Sequence, residues 1–309
     1  MQLRLLVALD GSPLSEEILP RVRPLLEAPA LAAGEGRAAP ELVIVRVVPS
    51  GGTSVEESDA LDAGQAYIEA IRERLRSWTD PHGWSVQVRE ERGDPSERIL
   101  ACADELEPAL VAMASHGRSG VTRWVRGSVA ERVLRGCRAP LLLATPAAED
   151  EPAHPLRKLL VPLDGSELAA RVLPLVTAWA RLHQGEVTLL RVEPFLPTAV
   201  PSPALQPGTW DPERLKASLE PARRALEEAG VPARVQVEIG VPAGEILGAA
   251  HGMDAVVMAT HGRSGLSRWW FGSVAEQVLR HVDRPLLVLR PAESASPGER
   301  VWGQLAGKG

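Results

Sequence analysis

The sequence predicts an α/β protein made of two tandem domains, each an open parallel sheet with helices on both faces. Three observations support this: the length, an internal repeat and a regular alternation of strand and helix patterns. A chain of 309 residues corresponds to about two domains of ordinary size. With 45% hydrophobic residues, each half can bury a core of its own.

The repeat consists of three blocks that occur twice in the same order. Leu5–Ser12 returns as Leu159–Ser166, Ser115–Gly120 as Thr260–Gly265, and Gly127–Glu131 as Gly272–Glu276. The offset is 154 residues from Asp10 to Asp164 and 145 from Gly117 to Gly262, so the first copy has nine extra residues between these blocks. We expect them as a loop insertion in the Ala-, Gly- and Pro-rich stretch Pro29–Pro40.

Strand and helix patterns alternate along each copy. In the first copy, strands are predicted near Leu3–Leu9, Glu41–Val48, Ser85–Glu91, Ala109–Ala114 and Leu141–Thr145, and helices near Pro13–Glu27, Ala60–Ser77, Pro95–Glu105 and Ser128–Arg135. The second and fifth strands contain continuous apolar runs, Leu42–Val45 and Leu141–Ala144, which is typical of strands covered on both faces. Alternation of this kind predicts right-handed crossovers and a parallel, Rossmann-like sheet.

The second copy repeats this order, with a Pro-rich loop from Pro194 to Pro207 before its second helix. We therefore place the domains at residues 1–146 and 156–292, joined by a linker at 147–155 that is rich in proline and acidic residues. The C-terminal tail, residues 293–309, has no clear periodicity, and we expect it to be partly disordered.

Composition excludes several classes of function. The net charge of −6 provides no basic field for nucleic acid or an anionic membrane. No apolar run approaches the roughly 18 residues of a membrane span, and the N-terminus lacks the pattern of a signal peptide, so we expect a cytoplasmic protein. Cys102 and Cys137 lack the spacing of a disulfide framework or a zinc site, and we expect both to be buried apolar residues.

The loop after the first strand is the first candidate site. Ser12 followed by Pro13 is typical of a helix N-cap with proline at the first helical position. Asp10 precedes this cap at the tip of the strand, where ligands of parallel sheets bind. Its carboxylate either accepts hydrogen bonds from a ribose or base, or belongs only to a well-formed helix start; the sequence leaves both interpretations open.

The loop after the fourth strand is the stronger candidate. It contains His116 and Gly117, and nine residues later Gly127 and Ser128 open a helix. Glycine allows close approach of the backbone to a ligand, and a helix N-terminus presents free N–H groups to a phosphate. Glu131, three residues after Ser128, also fits a capping box, so the serine has a purely structural explanation as well. Recurrence of the whole arrangement in the second copy favours a shared ligand site.

The histidines and arginines of these loops do not indicate catalysis. His116 and His261 have no neighbouring carboxylate or nucleophile in sequence, so we assign no catalytic residue. A histidine that orders the loop or contacts phosphate is the expected role. Arg118 and Arg263 either reach a phosphate or are solvated loop residues.

These residues resemble the universal stress protein family over nearly the whole of both copies. Its ATP-binding signature, G-x2-G-x9-G-[ST], is matched at Gly117, Gly127 and Ser128, and again at Gly262, Gly272 and Ser273. Ala114 and Ala259 replace the first glycine.

The resemblance implies ATP, bound with Mg²⁺ at up to two sites per chain, and the strand order 3-2-1-4-5. Asp10 and Asp164 would lie near the ribose or adenine, Val47 and Val192 would line the base, and the fourth-strand loop with the Gly-Ser helix start would hold the phosphates. By position, the implied nucleotide contacts are Ala8, Asp10, Ser12, Val47, Met113, Ala114, His116, Gly117, Arg118, Gly127, Ser128 and Val129 in the first copy, and Pro162, Asp164, Ser166, Val192, Met258, Ala259, His261, Gly262, Arg263, Gly272, Ser273 and Val274 in the second.

The resemblance also implies pairing of the apolar fifth strands with each other, since bare apolar edges invite pairing. We expect an intramolecular pseudo-dimer of the two domains, and further dimerisation of whole chains. The expected function is that of an ATP-binding, nucleotide-dependent stress regulator or protective factor with at most slow ATP hydrolysis. A nucleotide-free interaction scaffold is the alternative that Ala114 and Ala259 favour. An adenylating enzyme is disfavoured, because Leu9–Pro13 contains neither an S-G-G-x-D-S loop nor an H-x-G-H motif.

Overall fold

The computed structural model divides into two units, residues 1–154 and 155–309. It describes residues 2–28, 31, 38–48, 54–114, 128–144, 155–194, 211–260, 273–291 and 294–307, with the backbone alone for 54–63 and 128. Most of the predicted linker, of the Pro29–Pro40 insertion and of the Pro194–Pro207 loop lies outside these residues.

The first unit contains five strands and five α-helices in its described part. Their bounds are β1 Arg4–Leu9, α1 Pro13–Glu16, α2 Ile18–Leu26, β2 Glu41–Val48, α3 Ser54–Thr79, β3 Ser85–Arg92, α4 Pro95–Leu106, β4 Leu110–Ala114, α5 Ser128–Gly136 and β5 Leu141–Ala144. A single 3₁₀ turn, Asp80–His82, follows α3.

The described part of the second unit repeats this order and adds one helix. Its elements are β6 Lys158–Pro162, α6 Glu167–Ala170, α7 Leu173–His183, β7 Glu186–Pro194, α8 Pro212–Glu228, β8 Ala233–Gly240, α9 Pro242–Ala250, β9 Ala255–Ala259, α10 Ser273–His281, β10 Leu286–Leu289 and α11 Pro297–Ala306.

The strand order is that expected from the resemblance. Within the first unit it is β3-β2-β1-β4-β5, and within the second β8-β7-β6-β9-β10. Every neighbouring pair within a unit is parallel. The prediction of five-stranded parallel sheets with order 3-2-1-4-5 is therefore confirmed in both copies.

The central strands form the core of each unit. All residues of β4 and β9 except Ala259 are buried, as are Leu5–Leu9 of β1. Leu42–Val45 of β2 and Leu141–Ala144 of β5 are buried too, so the continuous apolar runs do mark strands covered on both faces. Cys102 and Cys137 are free and buried, as predicted.

The first helix of each copy is split, which the sequence interpretation did not predict. Residues Pro13–Glu27 were expected to form one helix, but α1 ends at Glu16 and α2 starts at Ile18. Pro20 explains the break, because proline has no N–H to donate to the carbonyl of Glu16 four residues earlier. Pro174 has the same relation to Ala170 in the second copy, where α6 ends at Ala170 and α7 starts at Leu173.

The prediction of a partly disordered tail was wrong for Pro297–Ala306, which form α11. Ser296 and Glu299 form a capping box at the start of this helix, with Pro297 at its first position. The helix packs on α7, where the fully buried ring of Trp302 lies 5.8 Å from that of Trp179. A ten-residue helix is too short for a strong periodic pattern, and its stability comes from this tertiary contact.

No helix in the described part of the chain is long and apolar enough to cross a membrane.

Candidate functional site

The reversal of strand order defines a crevice at the carboxyl ends of the central strands of each copy. In the first copy, β1 has β2 on one side and β4 on the other, and Ala8 is the register partner of Met113. Asp10 directly follows β1, and Ala114 ends β4. Open parallel sheets bind their ligands at such a switch point. The structure thus brings these four predicted site residues to one edge of the sheet.

Hydrogen bonds fix the Asp10 loop. Oδ1 of Asp10 accepts from the backbone N–H of Ser12 at 2.9 Å and from its hydroxyl at 2.6 Å. The Ser12 hydroxyl oxygen accepts from the N–H of Ser15 at 3.1 Å, so Ser12 is the helix N-cap, as predicted. Gly11 takes φ +82°, a left-handed conformation that favours glycine. Cap and aspartate therefore form one rigid turn, and the two interpretations of this loop are compatible.

The second copy builds the same turn. The N–H of Ser166 donates to Oδ1 of Asp164 at 2.9 Å, the N–H of Ala169 donates to the Ser166 hydroxyl at 3.1 Å, and Gly165 has φ +84°. Partial desolvation would raise the pKa of Asp164, but the hydrogen bonds from Ser166 and the charge of Arg191 outweigh it and lower that pKa. Asp164 is exposed, so its ionised carboxylate is accessible to a ligand.

Apolar residues line the strand ends beside these turns. Val47, Met113, Ala114 and Met258 are buried, while Pro162, Val192 and Ala259 are half-buried. The side chains of these residues can form an apolar wall, and their backbones can form hydrogen bonds. None of them is an acid, a base or a nucleophile.

The helix that would receive the phosphates starts at the predicted residue in both copies. Ser128 opens α5, and Ser273 opens α10 with its side chain exposed. Val129 and Val274 follow, half-buried. The remaining predicted contacts, His116, Gly117, Arg118, Gly127, His261, Gly262, Arg263 and Gly272, lie outside the described residues.

Two arginines of the second strands were missed by the sequence interpretation. Arg46 is the register partner of Leu9 near the end of β2, and Arg191 occupies the equivalent position in β7. The signal was present: each is the only cation of its strand and follows a mostly apolar run, at the same place in both copies. Because side chains alternate along a strand, the equivalent position places both arginines on the same face of their sheets.

The model of the universal stress protein family matches residues 1–145 and 155–290. The chain belongs to the universal stress protein family. Because the match occurs twice, it is a tandem universal stress protein with two family domains.

Individual relatives agree with this assignment. Universal stress protein MJ0531 of Methanocaldococcus jannaschii is 32% identical over 142 residues, which cover 43% of this chain and 82% of the relative. Universal stress protein YxiE of Bacillus subtilis is 31% identical over 148 residues, covering 43% and 98%. Among solved structures, a universal stress protein from Archaeoglobus fulgidus superposes with a TM-score of 0.69 at 19% identity, covering 94% of this chain and 98% of its own. At that identity the superposition shows a shared fold.

Proposed function

We propose that each copy binds one adenine nucleotide, ATP with Mg²⁺, at its switch point. The protein then acts in the cytoplasm as a nucleotide-dependent stress regulator or protective factor, with at most slow ATP hydrolysis. The observation that supports this best is the repeated Asp-Gly-Ser turn, held by the same hydrogen bond beside the ends of β4 and β9. Two copies that differ in much of their sequence retain a rigid acceptor at the same edge of the sheet.

The residues present fit such a ligand. Asp10 and Asp164 would accept hydrogen bonds from ribose hydroxyls, and the apolar strand ends would form a wall for the base. The N-termini of α5 and α10 would donate backbone N–H groups to the phosphates. Mg²⁺ keeps several waters and binds mainly through substrate phosphates, so it would enter with the nucleotide. Within the described residues, no cluster of three or more His, Cys, Asp or Glu side chains could hold a metal ion by itself.

Isothermal titration calorimetry with ATP and Mg²⁺ tests the proposal. We expect saturable binding at up to two sites per chain, together with nucleotide in gently purified protein detected by mass spectrometry. Asp10→Ala and Asp164→Ala should each weaken one site, because a ribose hydroxyl loses a charged acceptor worth roughly 1.5–3 kcal/mol. Absence of heat with ATP, ADP and AMP, without copurified nucleotide, would favour the scaffold function instead.

We also propose that the fifth strands, β5 and β10, pair with each other in an intramolecular pseudo-dimer. Both are apolar along their whole length, and each is the terminal strand in the order of its own unit. A crystal structure of the full chain tests this directly. Hydrogen bonds between β5 and β10 are expected, and two solvent-exposed fifth strands would contradict the proposal.

A further inference from the structure

The two copies differ in how they treat the arginine near the end of the second strand. Arg46 in β2 and Arg191 in β7 are equivalent, each five residues after the glutamate that opens its strand. The partners of the two guanidinium groups, however, are not the same.

In the first copy the charge of Arg46 is neutralised inside the protein. Its Nη1 lies 2.6 Å from Oε2 of Glu90, and the two side chains are 12% and 20% exposed. Glu90 is the register partner of Arg46 on β3, so the pair is built into the sheet. The guanidinium also lies 5.6 Å from the centre of the Tyr67 ring. Because the guanidinium of Arg46 contacts both the Glu90 carboxylate and the Tyr67 ring, and the ion pair is half-buried, its positive charge is largely neutralised before any ligand binds.

In the second copy that carboxylate is missing. The register partner of Arg191 on β8 is Val237, the equivalent of Glu90. In the described part of the chain, Nε is buried without a hydrogen-bond partner in both arginines, but Nη1, which Glu90 binds in the first copy, is also without a partner in Arg191. Burying a charged donor without an acceptor costs free energy. An acceptor that reaches such a donor therefore gains a strong hydrogen bond.

The unpartnered Nη1 of Arg191 lies against the candidate site. A Cβ atom on Gly165 would be only 3.1 Å from Nη1 of Arg191, so the guanidinium contacts the turn directly. The charge of Arg191 also acts on the adjacent Asp164 carboxylate. No ion pair within 4.0 Å joins these two side chains in the described structure, so Nε and Nη1 of Arg191 do not find their acceptor in the adjacent carboxylate.

We infer that Arg191 donates hydrogen bonds to a phosphoryl oxygen of the nucleotide bound by the second copy. The second copy then binds phosphate more tightly than the first. In the first copy, Arg46 is paired with Glu90 and does not donate to the ligand. This inference rests on the proposed nucleotide binding and adds a difference between its two sites. The phosphoryl oxygen belongs either to the linear triphosphate chain, as in ATP, or to a phosphate held directly against the ribose, as in 3′,5′-cyclic AMP. The choice of probe distinguishes the two.

A reciprocal exchange of the register partners tests the inference. Val237→Glu gives the second copy the internal carboxylate of the first, and Glu90→Val removes it from the first. Val237→Gln is the matched control, since glutamine has the size of glutamate without its charge. Val237 is half-buried, and the other copy carries an acid at the equivalent position, so a larger side chain can be accommodated there. Arg191→Gln removes the proposed donor, with Arg46→Gln as its counterpart. The probes are ATP, 3′,5′-cyclic AMP and adenosine, titrated calorimetrically at low and high salt.

We expect the parent protein to show one tight and one weak site for ATP. Val237→Glu and Arg191→Gln should weaken the tight site by roughly ten- to hundred-fold and reduce its salt dependence, because a charge-assisted hydrogen bond is lost. Adenosine binding should not change. Val237→Gln and Arg46→Gln should leave the tight site as it is, and Glu90→Val should tighten the weak site several-fold. A loss confined to ATP assigns the contact to the phosphate chain, and a loss shared by cyclic AMP assigns it to a phosphate at the ribose.

The failures of the two proposals are distinguishable. If folded parent protein binds none of the probes, nucleotide binding itself fails. If the parent binds ATP but Val237→Glu and Arg191→Gln leave both sites unchanged, or weaken adenosine equally, the role of Arg191 is overturned while nucleotide binding stands. Circular dichroism and thermal melting of every variant establish that a loss of binding is not a loss of fold.

Discussion

Replacing Trp302 with alanine is expected to destabilise the second unit by about 3–5 kcal/mol, because a fully buried indole leaves a large cavity. The ring packs on Trp179, which is also fully buried, and this contact joins α11 to α7. Two polar contacts depend on the same docking: Arg171 with Glu299 and Arg181 with the carbonyl of Ala306, both at 2.9 Å. Thermal denaturation followed by circular dichroism measures the loss.

A second readout of the same variant is the titration of His183. Burial lowers the pKa of His183 to about 4, with a smaller contribution from Arg157, and the ring packs 5.2 Å from that of Trp179. Because the unfolded state binds a proton with a pKa near 6.5, the parent loses stability as the pH falls from about 6.5 to 4. Trp302→Ala admits water to this cluster, so NMR should detect a higher pKa for His183 and a weaker pH dependence of stability.

Gln304→Ala is the control for this prediction. Gln304 lies on the same helix with its side chain exposed, and its replacement should change stability by no more than about 0.5 kcal/mol. If Trp302→Ala melts with the parent and the pKa of His183 does not move, α11 contributes nothing to the stability of the second unit.

The Gly127→Val, Gly272→Val double variant is expected to lose nucleotide binding in both copies. Each glycine precedes the serine that opens a helix, α5 or α10, where a branched side chain would occupy the space that a phosphate needs. A positive φ at either glycine would add roughly 1–2 kcal/mol of backbone strain. Ser128→Ala and Ser273→Ala should be milder, with a lost cap worth about 0.5–2 kcal/mol, because the backbone N–H groups remain. Calorimetry with ATP measures the double variant and the two serine variants.

Gly230→Val controls for strain alone. Gly230 has φ +78° with open space around the position of a side chain, and it lies in the turn from α8 to β8, at the opposite edge of the sheet from the site. It should lose stability without losing nucleotide affinity. If the folded double variant binds ATP as tightly as the parent, the phosphates lie elsewhere, and the site assigned to these loops falls.

Much of the fold was predictable from the sequence because its signals are local. Apolar runs such as Leu42–Val45 mark buried strands, and Ser12-Pro13 marks a helix start. The repeat doubled each of these signals, since an element seen in one copy could be checked in the other. Strand order is not a local property, so its prediction depended on the family resemblance, and the sheet pairing confirmed it.

The break in the first helix was also readable from the sequence, through Pro20 and Pro174, but the apolar pattern continues across both breaks. A periodic pattern reports which face is buried and does not report whether every backbone hydrogen bond is made. The helical tail was missed for a different reason. Ten residues give a weak pattern, and the aromatic surface of Trp179 that holds them lies more than a hundred residues away in the chain.

The sequence by itself determined two α/β copies, their buried strands and the Asp-Gly-Ser and Gly-Ser loops, because each depends on residues close together in the chain. Only the tertiary structure decided the environment of Arg46 and Arg191. Both occupy the same place in the second strand of their copy, and their difference depends on which residue the neighbouring strand supplies, Glu90 or Val237. Register between strands is set by side-chain packing across the sheet, so whether a carboxylate neutralises the arginine is decided there.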